Sequence, residues 1–105
     1  MAAIGELAIR DRMATRWRRR RMCVLVADAP APAALRTIDA TGAVVETSVK
    51  PPLGAAVSLR HPEAGEIAGR VRSVAADTIT IGFETGPHSV AFALAAIAAD
   101  MSRPA

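Results

Sequence analysis

Residues 36–45, which read R-T-I-D-A-T-G-A-V-V, are the stretch around which the fold of this chain is organised. The polar side chains Thr37, Asp39 and Thr41 come before Gly42 and an apolar run, a pattern typical of a turn that enters a strand. Further upstream, residues 16–21 read R-W-R-R-R-R, the densest positive charge in the sequence. A small β-domain with an arginine arm before its first strand is suited to holding an anion.

The positive charge is concentrated in that arm. The chain has 105 residues, enough for one domain with one core, and a net charge of +3. Residues 1–21 carry a net charge of +5, and the rest of the chain carries −2. We therefore predict no nucleic-acid partner, and binding to nucleic acid or to an anionic membrane by charge alone is the least favoured function.

The apolar runs are too short for a membrane span, which needs roughly 18 consecutive apolar residues. The N-terminus lacks the apolar core of a secretory signal, and Glu6 and Asp11 argue against an organellar transit peptide. Cys23 is the single cysteine and cannot form an internal disulfide, so we predict a buried thiol in a reducing compartment. The cytoplasm is the predicted location.

Short apolar or alternating runs, separated by turn signals, predict six strands. They cover residues 22–27, 35–38, 42–47, 55–60, 66–75 and 78–83. Pro30 and Pro32 predict a loop between the first two strands, because proline cannot donate to a sheet ladder. Closely spaced strands with intervening turns favour an all-β fold, a small antiparallel six-stranded barrel or sandwich.

The pattern changes to a helical one after residue 86. Residues 89–101 are rich in alanine and carry large apolar side chains at spacings of 4, 3 and 4, which are Val90, Leu94, Ile97 and Met101. We predict a helix that is capped by Ser89, lies across the barrel and turns this stripe inward. Phe92 lies off the stripe and is expected on the exposed face.

These elements predict three parts of the chain. Residues 1–21 form the N-terminal arm with its arginine run. Residues 22–86 form the β-barrel domain. Residues 87–105 form the C-terminal helix and a tail that pack on the barrel.

The sequence offers little support for catalysis. His61 and His88 each neighbour a proline in a predicted loop, where a histidine is usually a solvated turn residue. Cys23 lies within a strand with no sequence sign of an activating base. Glycine-rich phosphate motifs of the Walker or dinucleotide type are missing from the sequence. We predict that the chain is not an enzyme and holds no catalytic residue, metal or cofactor.

Arg16 and Arg20 form an R-x-x-x-R motif ahead of the first strand. In an extended segment they lie on one side roughly 13 Å apart, and in a helix they share a face. Arginine binds phosphate oxygens or the O6/N7 edge of guanine through two parallel hydrogen bonds. The alternative is a solvated basic tail. Trp17 either stacks on a purine or, as we favour, covers an apolar patch.

The order of these motifs resembles the PilZ domain family. That family combines R-x-x-x-R before the first strand, a later D/N-x-S-x-x-G-A segment, and a P-x-x-G turn that leads to V-x-L. The corresponding segments here are Arg16 with Arg20, residues 37–43 (T-I-D-A-T-G-A), residues 51–54 (P-P-L-G) and residues 57–59 (V-S-L). Two later segments also look similar, residues 69–74 (G-R-V-R-S-V) and residues 81–83 (I-G-F).

The resemblance implies a small PilZ-like β-barrel that binds cyclic di-GMP, a bacterial second messenger. It implies ligand binding by Arg16 and Arg20 together with Thr37, Asp39 and Gly42. It also implies that the arm wraps around the ligand and changes how the domain docks on a protein effector.

The second motif departs from the family pattern. Thr37 occupies the position of the Asp or Asn, and Asp39 occupies that of the serine. A frame starting at Asp39 restores the order of carboxylate and hydroxyl but places Val44 where glycine is needed. In the preferred frame, Asp39 either accepts the N–H donors of guanine or pairs with Arg16 or Arg20 and blocks the site. The alternative function is therefore a degenerate PilZ domain that does not bind cyclic di-GMP and acts as a protein interaction module.

Overall fold

The computed structural model describes residues 21–101, which form a closed barrel of six antiparallel strands and one helix. The strands follow each other around the barrel in the order β1-β2-β3-β6-β5-β4. The elements are β1 (Met22–Val26), β2 (Pro30–Asp39), β3 (Gly42–Glu46), β4 (Ala56–His61), β5 (Gly65–Val74), β6 (Thr78–Phe83) and α1 (Pro87–Met101). The predicted all-β fold, a six-stranded antiparallel barrel with a C-terminal helix, is confirmed. Arg16, Arg20 and Trp17 lie outside the described residues.

Aliphatic side chains that alternate along the strands fill the barrel interior. Those most completely shielded from solvent are Cys23, Leu25, Val45, Leu59, Ile79 and Ile81. The predicted burial of Cys23 is thus confirmed. Because the buried core residues as a whole come from all six strands, closing the sheet produces one continuous core.

The predicted loop at Pro30 and Pro32 is wrong, because both prolines lie within β2. Pro30 pairs with Val26 and Pro32 with Val24 in the antiparallel register between β1 and β2. The carbonyl of Pro32 accepts a hydrogen bond from the Thr47 hydroxyl at 2.9 Å, on the side of β2 away from β1. In an extended strand the nitrogen of a residue points to the same side as its carbonyl. Two prolines at alternate positions therefore leave the hydrogen bonds to β1 intact.

Two strands contain a register shift, and in each case the extra residue is an arginine. The pairing of β2 with β3 shifts between Leu35 and Thr37, which leaves Arg36 without an opposite residue on β3. The pairing of β5 with β6 shifts between Val71 and Ser73, which leaves Arg72 unpaired. Such bulges bend a strand and redirect a side chain. Both arginines are exposed on the outside of the barrel.

Helix α1 lies across one open end of the barrel, as predicted. It contacts β2 and β5, which are on opposite sides of the barrel, so it must span the opening between them. Phe92 is 2% exposed, and its ring packs edge-on against Phe83, with ring centroids 6.0 Å apart. The helix therefore completes the core instead of lying on a finished surface.

The predicted inner face of α1 is wrong. The four stripe residues Val90, Leu94, Ile97 and Met101 are exposed, whereas the buried residues are Ser89, Phe92, Ala93 and Ala96. Positions 89, 92, 93 and 96 also follow helical spacing. Alanine lets the helix backbone approach the barrel closely, and Phe92 alone reaches into its end.

The helix also begins earlier than predicted, at Pro87, and Ser89 is not its N-cap. The first helical hydrogen bond runs from the Val90 amide to the Gly86 carbonyl at 3.0 Å. The Gly86 amide donates to the Ser89 hydroxyl oxygen, also at 3.0 Å. Gly86 therefore occupies the capping position and Ser89 satisfies its amide from inside the first turn, while Pro87 takes the first helical position.

His61 is not the solvated turn residue that the sequence predicted, because it is 3% exposed at the end of β4. Its Nδ1 accepts hydrogen bonds from the amides of Glu63 and Ala64, both at 3.0 Å. Its ring packs edge-on against Phe92 at 6.3 Å. Burial lowers the pKa of His61, so its neutral form is favoured in the folded state. His88, in contrast, is exposed as expected, although it lies in the first turn of α1 and not in a loop.

Candidate functional site

The turn between β2 and β3 holds the carboxylate of Asp39 in a fixed orientation. Asp39 pairs with Gly42 across a loop of Ala40 and Thr41. Its Oδ1 accepts hydrogen bonds from the Thr41 amide at 2.7 Å, the Thr41 hydroxyl at 2.6 Å and the Gly42 amide at 3.1 Å. The hydroxyl and then the amide of Thr41 lower the pKa of Asp39. The exposed carboxylate therefore stays ionised at neutral pH.

Only one of the two oxygens of Asp39 is used by the turn. A carboxylate offers about four lone-pair sites on its two oxygens. Within residues 21–101, Oδ2 of Asp39 has no hydrogen-bond donor. The site thus presents a solvent-facing anionic acceptor whose direction is set by its own turn.

Thr37 and Asp39 lie two residues apart on β2 and are both exposed, roughly 6–7 Å apart along the strand. They line one shallow depression of about 180 Å³ on the outside of the sheet. Its other lining residues are Thr41, Gly42, Ala43, Val44, Arg72, Thr80 and Ile81. The structure thus brings together three of the five predicted site residues, Thr37, Asp39 and Gly42.

Gly42 has a structural reason to be glycine. A Cβ at this position would lie 2.2 Å from the carbonyl oxygen of Ile81 on β6. No side chain fits at that distance, because the contact is with backbone that is held in the sheet. Gly42 therefore lets β3 approach β6 at the depression.

Arg72 is a site residue that the sequence analysis missed. Its side chain lies over Gly82, where a Cβ would come within 1.6 Å of the arginine Nε. It reaches the depression beside Asp39 and Thr80, and it forms no ion pair or side-chain hydrogen bond with any residue from 21 to 101. The bulge in β5 and the glycine in β6 position it, and neither is local to residues 37–42 in the sequence.

A second depression of about 430 Å³ lies on the other side of Arg72. Its lining includes Ala56, Ala68, Arg70 and Glu84, and Arg72 is common to both depressions. The Arg70 guanidinium donates to the Gly54 carbonyl at 2.9 Å. The outer face of this sheet therefore offers a shallow surface centred on the Arg72 guanidinium, which has no ion-pair partner among the described residues.

The start of β1 leads towards Thr37 and Asp39. The Arg21 carbonyl accepts a hydrogen bond from the Leu35 amide at 2.8 Å, which extends the antiparallel pairing by one residue beyond Met22. The upstream end of β1 therefore faces the downstream half of β2. In that half, the edge of β2 next to β1 has no partner strand among the described residues.

Arg21 anchors this point of the chain. Its guanidinium lies 3.1 Å from Glu63, in the turn before β5, and its Nε donates to Asp100 in the last turn of α1 at 3.4 Å. Its side chain is 15% exposed. Arg21 thus joins the start of β1 to two other elements.

Chain length alone allows Arg16 and Arg20 to reach the depression. Arg20 is bonded to Arg21, and Arg16 precedes Arg21 by five residues, at most about 18 Å of extended chain. Thr37 and Asp39 lie two and four residues beyond Leu35 on β2, roughly 7 and 13 Å away. Both predicted arginines are therefore within reach of the site.

The remaining reactive groups do not form a second site. Burial raises the pKa of the Cys23 thiol to about 12, with Asp100 adding to the rise and Arg21 opposing it. The thiol is therefore protonated at neutral pH and a weak nucleophile. In the part of the chain from residue 21 to 101, no three His, Cys, Asp or Glu side chains form a metal-binding group. That part also contains no helix with the length and hydropathy of a membrane span.

Comparison of the chain with protein-family models, with curated proteins and with solved structures gives no match.

Proposed function

We propose that the chain is a cyclic di-GMP receptor domain of the PilZ type, located in the cytoplasm and without enzymatic activity. The observation that carries the proposal is the position of Thr37 and Asp39 beside the point where the arginine run joins β1. The resemblance of the sequence motifs to the PilZ family also supports the proposal, in part through residues beyond these, at 51–59, 69–74 and 81–83.

In this proposal each group on the outer face has one task. The free oxygen of Asp39 accepts the N–H donors of a guanine edge, and the Thr37 hydroxyl hydrogen-bonds the same base. Arg72 approaches a phosphate from the sheet, and Arg16 and Arg20 bind phosphate or guanine from the arm. Guanidinium groups suit this role because their hydrogen bonds to phosphate are charge-assisted and often paired.

The size of the depression supports a role for the arm as the second wall of the site. Pockets that enclose ligands of drug-like size measure about 300–1,000 Å³. The depression at Asp39 measures only about 180 Å³ and is open to solvent. A dinucleotide bound there is enclosed only when the arm closes over it, and this closure is the change that an effector protein recognises.

Calorimetric titration of the full chain with cyclic di-GMP tests the proposal. We expect saturable heat with the wild type, loss of that heat in Arg20→Ala, and wild-type binding in Arg60→Ala. Arg60 is the matched control because it is an exposed arginine on β4, where it is paired with Glu66. The absence of heat at high-micromolar ligand contradicts the proposal.

The second candidate is a degenerate PilZ domain that acts as a protein interaction module. It is favoured by the three hydrogen bonds within the turn that Oδ1 of Asp39 already accepts. It predicts a flat titration and a protein partner that is released by substitution of Thr37 or Arg72 on the outer face. Saturable binding of the dinucleotide excludes it.

A further inference from the structure

The outward face of α1 is apolar along its whole length. We define the outer stripe as Val90, Leu94, Ile97 and Met101, which are 42, 62, 38 and 79% exposed. The opposite face of the same helix is buried on the barrel through Phe92. A helix that is apolar on both faces is ordinarily covered on both.

Within residues 87–101, the outward face carries no charged stripe residue. The helix has one charged side chain, Asp100, and that carboxylate is engaged by Arg21. The exposed residues between the stripe positions, Ala91 and Ala98, are small. Exposed helix faces in water usually carry Lys, Glu, Arg or Asp. A contiguous apolar patch without charges marks an interaction surface.

We propose that the outer stripe packs against the outer stripe of a second copy of this chain. The stripe spacings of 4, 3 and 4 are those of the a and d positions of a heptad, the seam that pairs one helix with another. The alanines beside the stripe leave room for the side chains of a facing helix. Within the described helix, two facing outer stripes bring no like charges together, so the face is compatible with a second copy of itself.

A lipid surface fits this face poorly. Helices that lie on membranes carry Lys or Arg on their polar side, which binds anionic headgroups. Helix α1 has no basic residue in its last turn, and its only histidine, His88, contacts the Glu66 carbonyl at 3.2 Å. The inference concerns a surface apart from Thr37 and Asp39, and it does not depend on the nucleotide proposal.

The size of the helix sets the expected strength of the pairing. A helix of 15 residues is about 22 Å long. A standard interface buries about 800 Å² on each partner, more than one helix face of this length provides. We therefore expect a reversible dimer with a dissociation constant of roughly micromolar order, not a permanent one.

Sedimentation equilibrium of the full chain at increasing concentration tests the proposal. We expect the wild type to shift from monomer to dimer, and Leu94→Glu to remain a monomer at every concentration. Leu53→Glu is the matched control: Leu53 is equally large, 68% exposed and placed in the turn before β4. It should dimerise like the wild type.

Circular dichroism establishes that each variant is folded. If Leu94→Glu does not fold, Met101→Glu introduces a charge at the far end of the same stripe and gives the same readout. A wild type that stays monomeric at the highest concentration overturns the proposal. A dimer that persists in both stripe variants, or that Leu53→Glu also abolishes, overturns it as well.

Discussion

Two regions of this barrel, the end under α1 and the outer face at Thr37 and Asp39, differ in what covers them. At the open end, α1 seals the core and Phe92 packs against Phe83 and His61, away from solvent. On the outer face of the sheet, Thr37 and Asp39 lie on a shallow surface that no described element covers. Excluding water from the end under α1 stabilises the fold. The outer face, which we call the open side, instead leaves polar groups exposed to a ligand.

This difference separates stability from binding. Substitutions under α1 should reduce the free energy of unfolding and leave the affinity for a ligand unchanged. Substitutions on the outer face should do the reverse, because exposed side chains contribute little to stability. Substitutions on the two sides of the barrel test this separation.

Phe92→Ala should give the largest effect. Truncation of a buried phenylalanine costs about 3–5 kcal/mol through lost burial and the cavity left behind. Urea unfolding followed by circular dichroism measures this loss, and Phe92→Leu should cost markedly less. A loss below about 1 kcal/mol would mean that α1 contributes little to the core. Cyclic di-GMP titration below the unfolding transition should give wild-type affinity.

Arg72→Ala should act on the open side. Loss of one charge-assisted contact to a phosphate should weaken cyclic di-GMP binding about tenfold, equivalent to about 1.4 kcal/mol. The urea midpoint should stay within experimental error of the wild type. Titration calorimetry measures the affinity, with Arg60→Ala as control. An equal loss in both variants would show a general charge effect instead of a local contact.

Gly82→Ala should have a smaller effect in the same direction. The new methyl group would occupy the place of the Arg72 Nε and displace a flexible side chain without removing its charge. We expect affinity between those of the wild type and Arg72→Ala, measured by the same titration. Gly86→Ala is the control, since its Cβ meets no atom within 4 Å. If Gly82→Ala binds like the wild type, the position of Arg72 over Gly82 is not required.

The smallest effect concerns pH and His61. Because burial lowers the pKa of His61 in the folded state, the unfolded state binds a proton more readily. The contribution of His61 to stability is therefore complete above the unfolded pKa, near 6.5, and is lost as pH falls through the folded value. His61→Asn keeps an acceptor near Nδ1 but cannot titrate, so the urea midpoint should fall less steeply with pH.

The open side should not contribute to that slope. The pKa of Asp39 lies below its ordinary 3.8, so this carboxylate is ionised near pH 6.5, where His61 of the unfolded chain begins to bind its proton. Asp39→Asn should retain the wild-type slope in the same urea measurements. A flattened slope in Asp39→Asn, or an unchanged one in His61→Asn, would show that the titrating group has been misassigned.

Local patterns predicted most of the fold. Alternation in β4, β5 and β6 and the turn at Gly42 indicated the strands correctly, because one face of each strand is buried in the barrel. Pro30 and Pro32 do not end the strand, because a proline disrupts pairing only on the edge of the strand to which its nitrogen points. Because the two prolines are two residues apart, both ring nitrogens lie on the same edge of β2.

Local sequence patterns could not predict which face of α1 is buried. Two stripes follow helical spacing, and the one with the larger side chains was predicted to face the barrel. The face with the smaller residues is buried instead, because the backbone of a helix that covers the open end must lie close to the barrel. Only Phe92 is needed to fill the space below it. The burial of His61 has the same origin, since its neighbour Phe92 lies 31 residues further along the chain.

Some residues of the candidate site could be predicted from local sequence, and others could not. Thr37, Asp39 and Gly42 belong to one hairpin, so their proximity followed from the sequence. Arg72 reaches the same depression through a bulge in β5 and a glycine in β6, two non-local features that single-sequence patterns do not reveal. Arg16 and Arg20 lie outside the described residues, and their role remains a prediction.

The two prolines of β2 affect whether another strand can pair with the edge of this sheet. Before Ala34, the side of β2 away from β1 extends past the last residue pair with β3. A foreign strand that approached this overhang would find carbonyl acceptors there but, at Pro30 and Pro32, no N–H donors. Within residues 21–101, this stretch of unpaired edge is thereby a poor template for adding strands.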